Sequence, residues 1–119
     1  MHWLQRVRAN VSSASARPDA AFRWILKVES ADEEVLYNHE GFETLNVKLH
    51  ASLMEILPQH LFPRWTVETE EAAKAGRRVR GRQLLRFILD QFRADAALGA
   101  RYGYMDLVNV KIEGNKLLD

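Results

Sequence analysis

The side chains able to do chemistry in this 119-residue sequence are few, and their spacing favours little of it. Histidines stand at 2, 39, 50 and 60, and no two have the i, i+4 or His-Glu-x-x-His spacing that sets two imidazoles on one metal. The absence of cysteine excludes disulfide scaffolds, thiolate nucleophiles and cysteine-ligated zinc or iron–sulfur sites. The six glycines form neither a dinucleotide-binding pattern nor a P-loop, so no phosphate cradle is encoded. No serine sits in a nucleophile elbow. Six acids lie between Glu29 and Glu43 (Glu29, Asp32, Glu33, Glu34, Glu40, Glu43), with no Lys or Arg among them to complete an acid–base constellation. They read as a solvated acidic loop. No enzymatic activity, metal, cofactor or small-molecule substrate is expected.

A run of opposite sign follows later in the chain. Lys74, Arg77, Arg78, Arg80, Arg82 and Arg86 occur without an intervening acid, and twelve of the seventeen basic residues overall are arginine. Clustered cations on a helix are the electrostatic footprint of nucleic-acid binding, with phosphates as the partner. The alternative is a solvated helix face, or a surface that meets the acidic 29–43 segment of the same or a neighbouring molecule. The second is favoured, because the acids nearly cancel the charge (net +1) and no RNA-stacking motif accompanies the arginines. Trp3, Trp24 and Trp65 read as core anchors, and His50 as a boundary residue.

These residues must be positioned by helices. Trp3, Val7 and Val11, with Leu4 beside them, form one stripe over residues 3–14. Ser12 to Pro18 breaks it, and Asp19 is expected to cap a second helix of about ten to twelve residues. Phe22, Ile25 and Leu26 carry its apolar spacing, with Trp24 on the flank. Residues 30–41 read as a loop with at most one helical turn. Phe42, Leu45, Leu49, Leu53 and Ile56 are spaced 3, 4, 4 and 3 and are closed by Pro58, the clearest helix in the chain. The stretch 58–63 reads as a turn, with a helix beginning at Thr66 and interrupted at Gly76 and Gly81. From Val79 to Phe92 the stripe Leu84, Leu85, Ile88 and Phe92 is widened by Phe87 and Leu89, an arc broad enough for more than one neighbour. Arg82, Arg86, Asp90 and Arg93 are expected on the opposite side. Leu98 to Lys111 is expected to be a further helix, ahead of a turn at 113–115.

The length and 47% hydrophobic content suit a single domain whose core needs no metal or disulfide. No apolar run approaches the roughly 20 residues of a membrane span. Residues 1–10 mix charge into the N-terminus and lack the apolar segment and cleavage site of a secretory signal, so an intracellular, cytoplasmic location is expected. Asn10-Val11-Ser12 is then a chance match to a glycosylation acceptor.

As a string, the chain resembles the Gag capsid-like domain of copia-type LTR retrotransposons, particularly the divergent copies abundant in dinoflagellate genomes. The carrying residues are Phe22-Arg23-Trp24-Ile25 with Val28-Glu29, then Phe42-Glu43-Thr44-Leu45-Asn46-Val47-Lys48-Leu49. Gly81-Arg82-Gln83-Leu84-Leu85 through Ile88 to Phe92, Met105-Asp106-Leu107 and Val110-Lys111-Ile112-Glu113-Gly114-Asn115 complete it. The resemblance spans about Phe22 to Asp119. It implies an all-α, orthogonal bundle of about five to six short helices, like the N-terminal part of a retroelement capsid. Residues 1–18 would form an N-terminal helix and linker, and 19–119 a capsid-like region truncated at its C-terminus. It also implies a structural protein that associates with itself into particles packaging RNA. Segregated charges would suit head-to-tail contacts between copies, with Arg78 and Arg82 among the residues making them.

Overall fold

The computed structural model describes residues 2–94, and every regular element among them is helical, as the apolar spacing predicts. Helix α1 (His2–Ser13) buries Trp3, Leu4, Val7 and Val11, the expected stripe. After the break, α2 (Pro18–Leu26) starts one residue before the expected cap: Pro18 takes the first turn, Arg17 precedes it without a side-chain cap, and Asp19 lies inside the helix. Proline is suited to that place because its fixed φ is helical and its missing N–H would have had no helical partner there.

The face that α2 turns inward also differs from expectation. Ala21, Trp24, Ile25 and Val28 are buried, whereas Phe22 is 42% exposed. Residues 22 and 24 point about 200° apart on a helix, so only one aromatic ring can face the core. The indole takes that place, with its ring 5.4 Å from that of Phe42. A 3-10 turn at Lys27–Glu29 ends α2, and the acidic stretch then forms the single-turn helix α3 (Glu33–Leu36), which buries Leu36.

Helix α4 (Glu43–Ile56) buries Leu45, Asn46, Leu49 and Leu53. A second 3-10 turn (Gln59–Leu61) leads into α5 (Phe62–Lys74), which begins four residues ahead of the expected Thr66 start. Pro63 marks a beginning here rather than a barrier. Two hydrogen bonds close α5, Arg77 N–H to Ala72 O at 2.8 Å and Gly76 N–H to Ala73 O at 2.9 Å. They form a Schellman motif around Gly76, whose φ of +76° suits glycine.

Helix α6 (Gly81–Ala94) is the centre of the bundle, packing against α4, α3 and the turn that follows α2. Leu84, Leu85, Ile88 and Leu89 are all buried, each worth roughly 1.5–3 kcal/mol relative to exposure. Gly81 is a packing residue rather than a soft point. A Cβ added there would lie 2.6 Å from both the Asn46 carbonyl oxygen and Leu49 Cβ, so glycine permits the close crossing of α4 and α6. The expectations for Leu98 to Asp119 lie outside the described residues.

Candidate functional site

The basic run does not form one face. Its C-terminal half is built into the fold, beginning with the N-terminus of α6. The Arg80 N–H, at the cap position, donates to Gln83 Oε1 at 2.9 Å, and the Arg82 N–H donates to Asn46 Oδ1 of α4 at 2.9 Å. These bonds satisfy donors that a helix start leaves without internal partners. The Gln83 amide then reaches Leu36 O at 2.8 Å.

Arg82, expected on the solvated side, is 0% exposed. Its guanidinium donates to the carbonyl oxygens of Trp24 (3.0 Å), Val35 (3.0 Å) and Asn38 (2.5 Å). It also lies 3.0 Å from Glu40 Oε2 and 4.9 Å from the centre of the Trp24 ring. Burial pushes the Arg82 pKa below its ordinary value, and the Glu40 charge pulls it back up. Burial also pushes the Glu40 carboxyl up, but the hydrogen bond from Lys27 and the charge of Arg82 outweigh it and hold the pKa below the usual value. Arg86 repeats the pattern, donating to Val28 O at 3.0 Å and Ala31 O at 2.7 Å, and it lies 3.7 Å from Asp90. Arg82 thus meets carbonyls at the C-terminal ends of α2 and α3, and Arg86 those of the 3-10 turn and the connection that follows it.

The acidic segment is accordingly engaged by its own chain. Glu29 pairs with Arg8, Glu40 with Lys27 and Arg82, and Glu34 with Arg77. The Arg77 pair is a two-pronged contact, at 2.6 Å and 2.8 Å, and the same guanidinium stacks 4.6 Å from the Tyr37 ring. The hydrogen bond from Arg77 lowers the Glu34 pKa and, reciprocally, raises that of Arg77. The acidic stretch is exposed at Asp32, Glu33, Glu34 and Glu43 and holds a single helical turn, as expected, while Glu40 and the neighbouring carbonyls anchor Arg82.

The remaining cations frame a different feature. Lys74 is exposed on the last turn of α5, 3.5 Å from Glu71. Arg78 and Arg80 lie on the rim of a groove of about 550 Å³ between α4, α5 and the 77–80 connection. Met54, Trp65, Ala73 and Val79 give it an apolar lining, and Glu70 stands on its α5 side. Trp65 is 5% exposed and is braced by Phe87, with ring centres 5.2 Å apart. Thr66 and Thr69 both donate their hydroxyls to carbonyls one turn back, at 2.9 Å. His50, also on the lining, is half-buried, and burial followed by the charge of Arg80 lowers its pKa. The Arg78 side chain has no hydrogen bond or ion pair among the described residues.

Of the six residues read from the sequence as one contact surface, the structure brings Arg77, Arg78 and Arg80 to this groove and places Arg82 and Arg86 elsewhere. Met54, Ala73 and Val79 went unread as site residues, because moderate apolar side chains read as core. The signal was the excess: Val47, Ala51 and Met54 fall 4 and 3 apart, on a different face of α4 from Leu45, Leu49 and Leu53.

Among the described residues no group of His, Cys, Asp and Glu side chains is placed to hold a metal ion, and no helix is long and apolar enough to cross a membrane. Compared with family models, curated proteins and solved structures, the chain matches none.

Proposed function

We propose that this chain is a non-enzymatic, capsid-like helical domain that acts by associating with copies of itself. The observation that carries the reading is the groove between α4 and α5. It is an apolar trough between two helices, with Arg78 and Arg80 on its rim, and the Arg78 side chain has no ion pair among the described residues. Helices of this kind bury such a face against another helical surface, and a second copy of the chain is always at hand to supply it. The capsid character and the packaging of RNA rest on the resemblance carried by residues 22–29, 42–49 and 81–92.

The RNA-binding reading of the basic run is weaker than it was on sequence, since Arg82 and Arg86 are bonded to backbone carbonyls. Light scattering coupled to size exclusion tests the proposal across protein concentration, with and without added RNA. Mass that rises with concentration in the absence of RNA is expected. A monomer at every concentration would overturn self-association, and a shift seen only with RNA would transfer the function to the remaining cations Lys74, Arg78 and Arg80.

A further inference from the structure

Residues 38–41, between α3 and α4, tie together parts of the chain that are distant in sequence. Asn38 O accepts from Arg82, the Glu40 carboxylate is shared by Arg82 and Lys27, and Gly41 O accepts from Arg17 at 3.1 Å. The loop therefore joins both ends of α2 to the buried cation of α6. Its backbone takes an unusual form: Glu40 has a φ of +54° and Gly41 one of +86°, two left-handed residues in succession. Glycine adopts that conformation freely, whereas a residue with a Cβ keeps it only where its surroundings impose it.

Two side chains support it, each by accepting a backbone N–H two residues further on. Asn38 Oδ1 takes the Glu40 N–H at 2.9 Å, and His39 Nδ1 takes the Gly41 N–H at 3.0 Å. The two bonds differ in one chemical respect. An amide oxygen is an acceptor at every pH, but an imidazole nitrogen accepts only while the ring is neutral, because both nitrogens of the imidazolium are donors. The ordinary histidine pKa of about 6.5 places that change near physiological pH. His39 is exposed, so a proton reaches it directly from solvent. Around the loop stand the cations Arg17, Lys27 and Arg82 and the carboxylates of Glu40 and Glu43, and Glu40 is already shared between two of those cations.

We infer that His39 is an acid-sensitive latch on this loop. The neutral ring secures Gly41, and with it the turn that presents Asn38 O, Glu40 and Gly41 O to their arginines and lysine. Protonation sets a donor against a donor. The Gly41 N–H then loses its acceptor, the left-handed pair loses one of its two supports, and the hold on Arg17 and Arg82 loosens. The folded loop uses only the neutral ring, while the unfolded chain admits either form. The bond therefore contributes to stability above about pH 6.5, and its contribution is lost as pH falls below that value. One hydrogen bond of ordinary strength corresponds to about a two- to tenfold change in the unfolding equilibrium constant. The device is independent of the groove and of self-association.

Amide hydrogen exchange at Gly41, followed by NMR between about pH 8 and pH 5 and scaled to the unstructured rate at each pH, is the test. Protection is expected to fall about two- to tenfold across this range in the wild type. His39→Asn places an amide oxygen where the imidazole stood, as Asn38 does one residue earlier, and is expected to keep Gly41 protected throughout. His39→Ala removes the acceptor and is expected to leave Gly41 poorly protected at every pH. In a His50→Gln background, the urea midpoint of the protein with His39 is expected to fall more steeply on acidification than that of the His39→Asn form. Wild-type protection that does not change with pH would overturn the latch, as would the same pH dependence in His39→Asn. Wild-type protection in His39→Ala would also overturn it, since the bond would then not hold the loop.

Discussion

Arg78 and Arg82 stand four residues apart and carry the same guanidinium, yet one faces open groove and the other is sealed inside the molecule. Their difference lies in what each backbone position faces. Arg82 follows a glycine that lets α6 press onto α4, so its side chain is drawn into a site where three carbonyls and a carboxylate converge. Arg78 sits on an irregular connection after the end of α5, where no such acceptors converge. A stretch of like charge in a sequence can thus comprise two devices, an internal clamp and a surface rim.

The contrast is broken most severely at the clamp. Arg82→Met would leave the Trp24, Val35 and Asn38 carbonyls and the Glu40 carboxylate without their cation, and truncating one partner of a buried pair costs about 3–5 kcal/mol. A large fall in the urea midpoint, or a chain that does not fold, is expected. A midpoint within experimental error of wild type would show that the cluster does not hold the fold. Gly81→Ala sets a methyl against the α4 backbone and Leu49, and overpacking of this kind costs roughly 1–3 kcal/mol. Thermal melts are expected to show a clear loss, whereas a gain would mean that helix propensity outweighs the clash.

On the rim the effects shrink. Because burial and Arg80 lower the His50 pKa, the unfolded chain takes up the proton first as pH falls. The His50 contribution is therefore fully present above the unfolded value of about 6.5, and it is lost as pH falls through the lower folded value. His50→Gln should flatten the stability profile across that window, and an unchanged slope would exclude the histidine as its cause. Arg77→Ala is expected to do least. Its pair with Glu34 is solvent-exposed, so the melting midpoint should hardly move at physiological salt. A drop comparable to that of Arg82→Met would erase the distinction between clamp and rim.

Much of the scaffold could be read from the sequence, because it depends on spacing. The stripes of α1, α4 and α6 follow the 3.6-residue period over several turns, and their large aliphatic residues leave little choice of face. Spacing failed where it offered two answers, as in α2, where Phe22 and Trp24 competed for one inward position. It also failed where a proline favoured both the end and the beginning of a helix, as at Pro63. The clamp was misread because charge outweighed geometry: Arg82 lies seven residues before Leu89 and so points almost the same way, into the core. The groove was legible only as surplus apolar residues on α4, since its other walls come from α5 and from a connection without periodicity.

The clamp also bears on when the domain can form as the chain is synthesised. The Arg82 and Arg86 bonds reach back across 44 to 58 residues to carbonyls of α2, α3 and their connections. Contacts so distant in sequence cannot form until both partners have left the ribosome. The first five helices must therefore emerge with those carbonyls still hydrated and the acidic stretch lacking its α6 cations. Exit of α6 would convert this loose precursor into the bundle in one concerted step, so a ribosome stalled before Gly81 should display a protease-sensitive nascent chain.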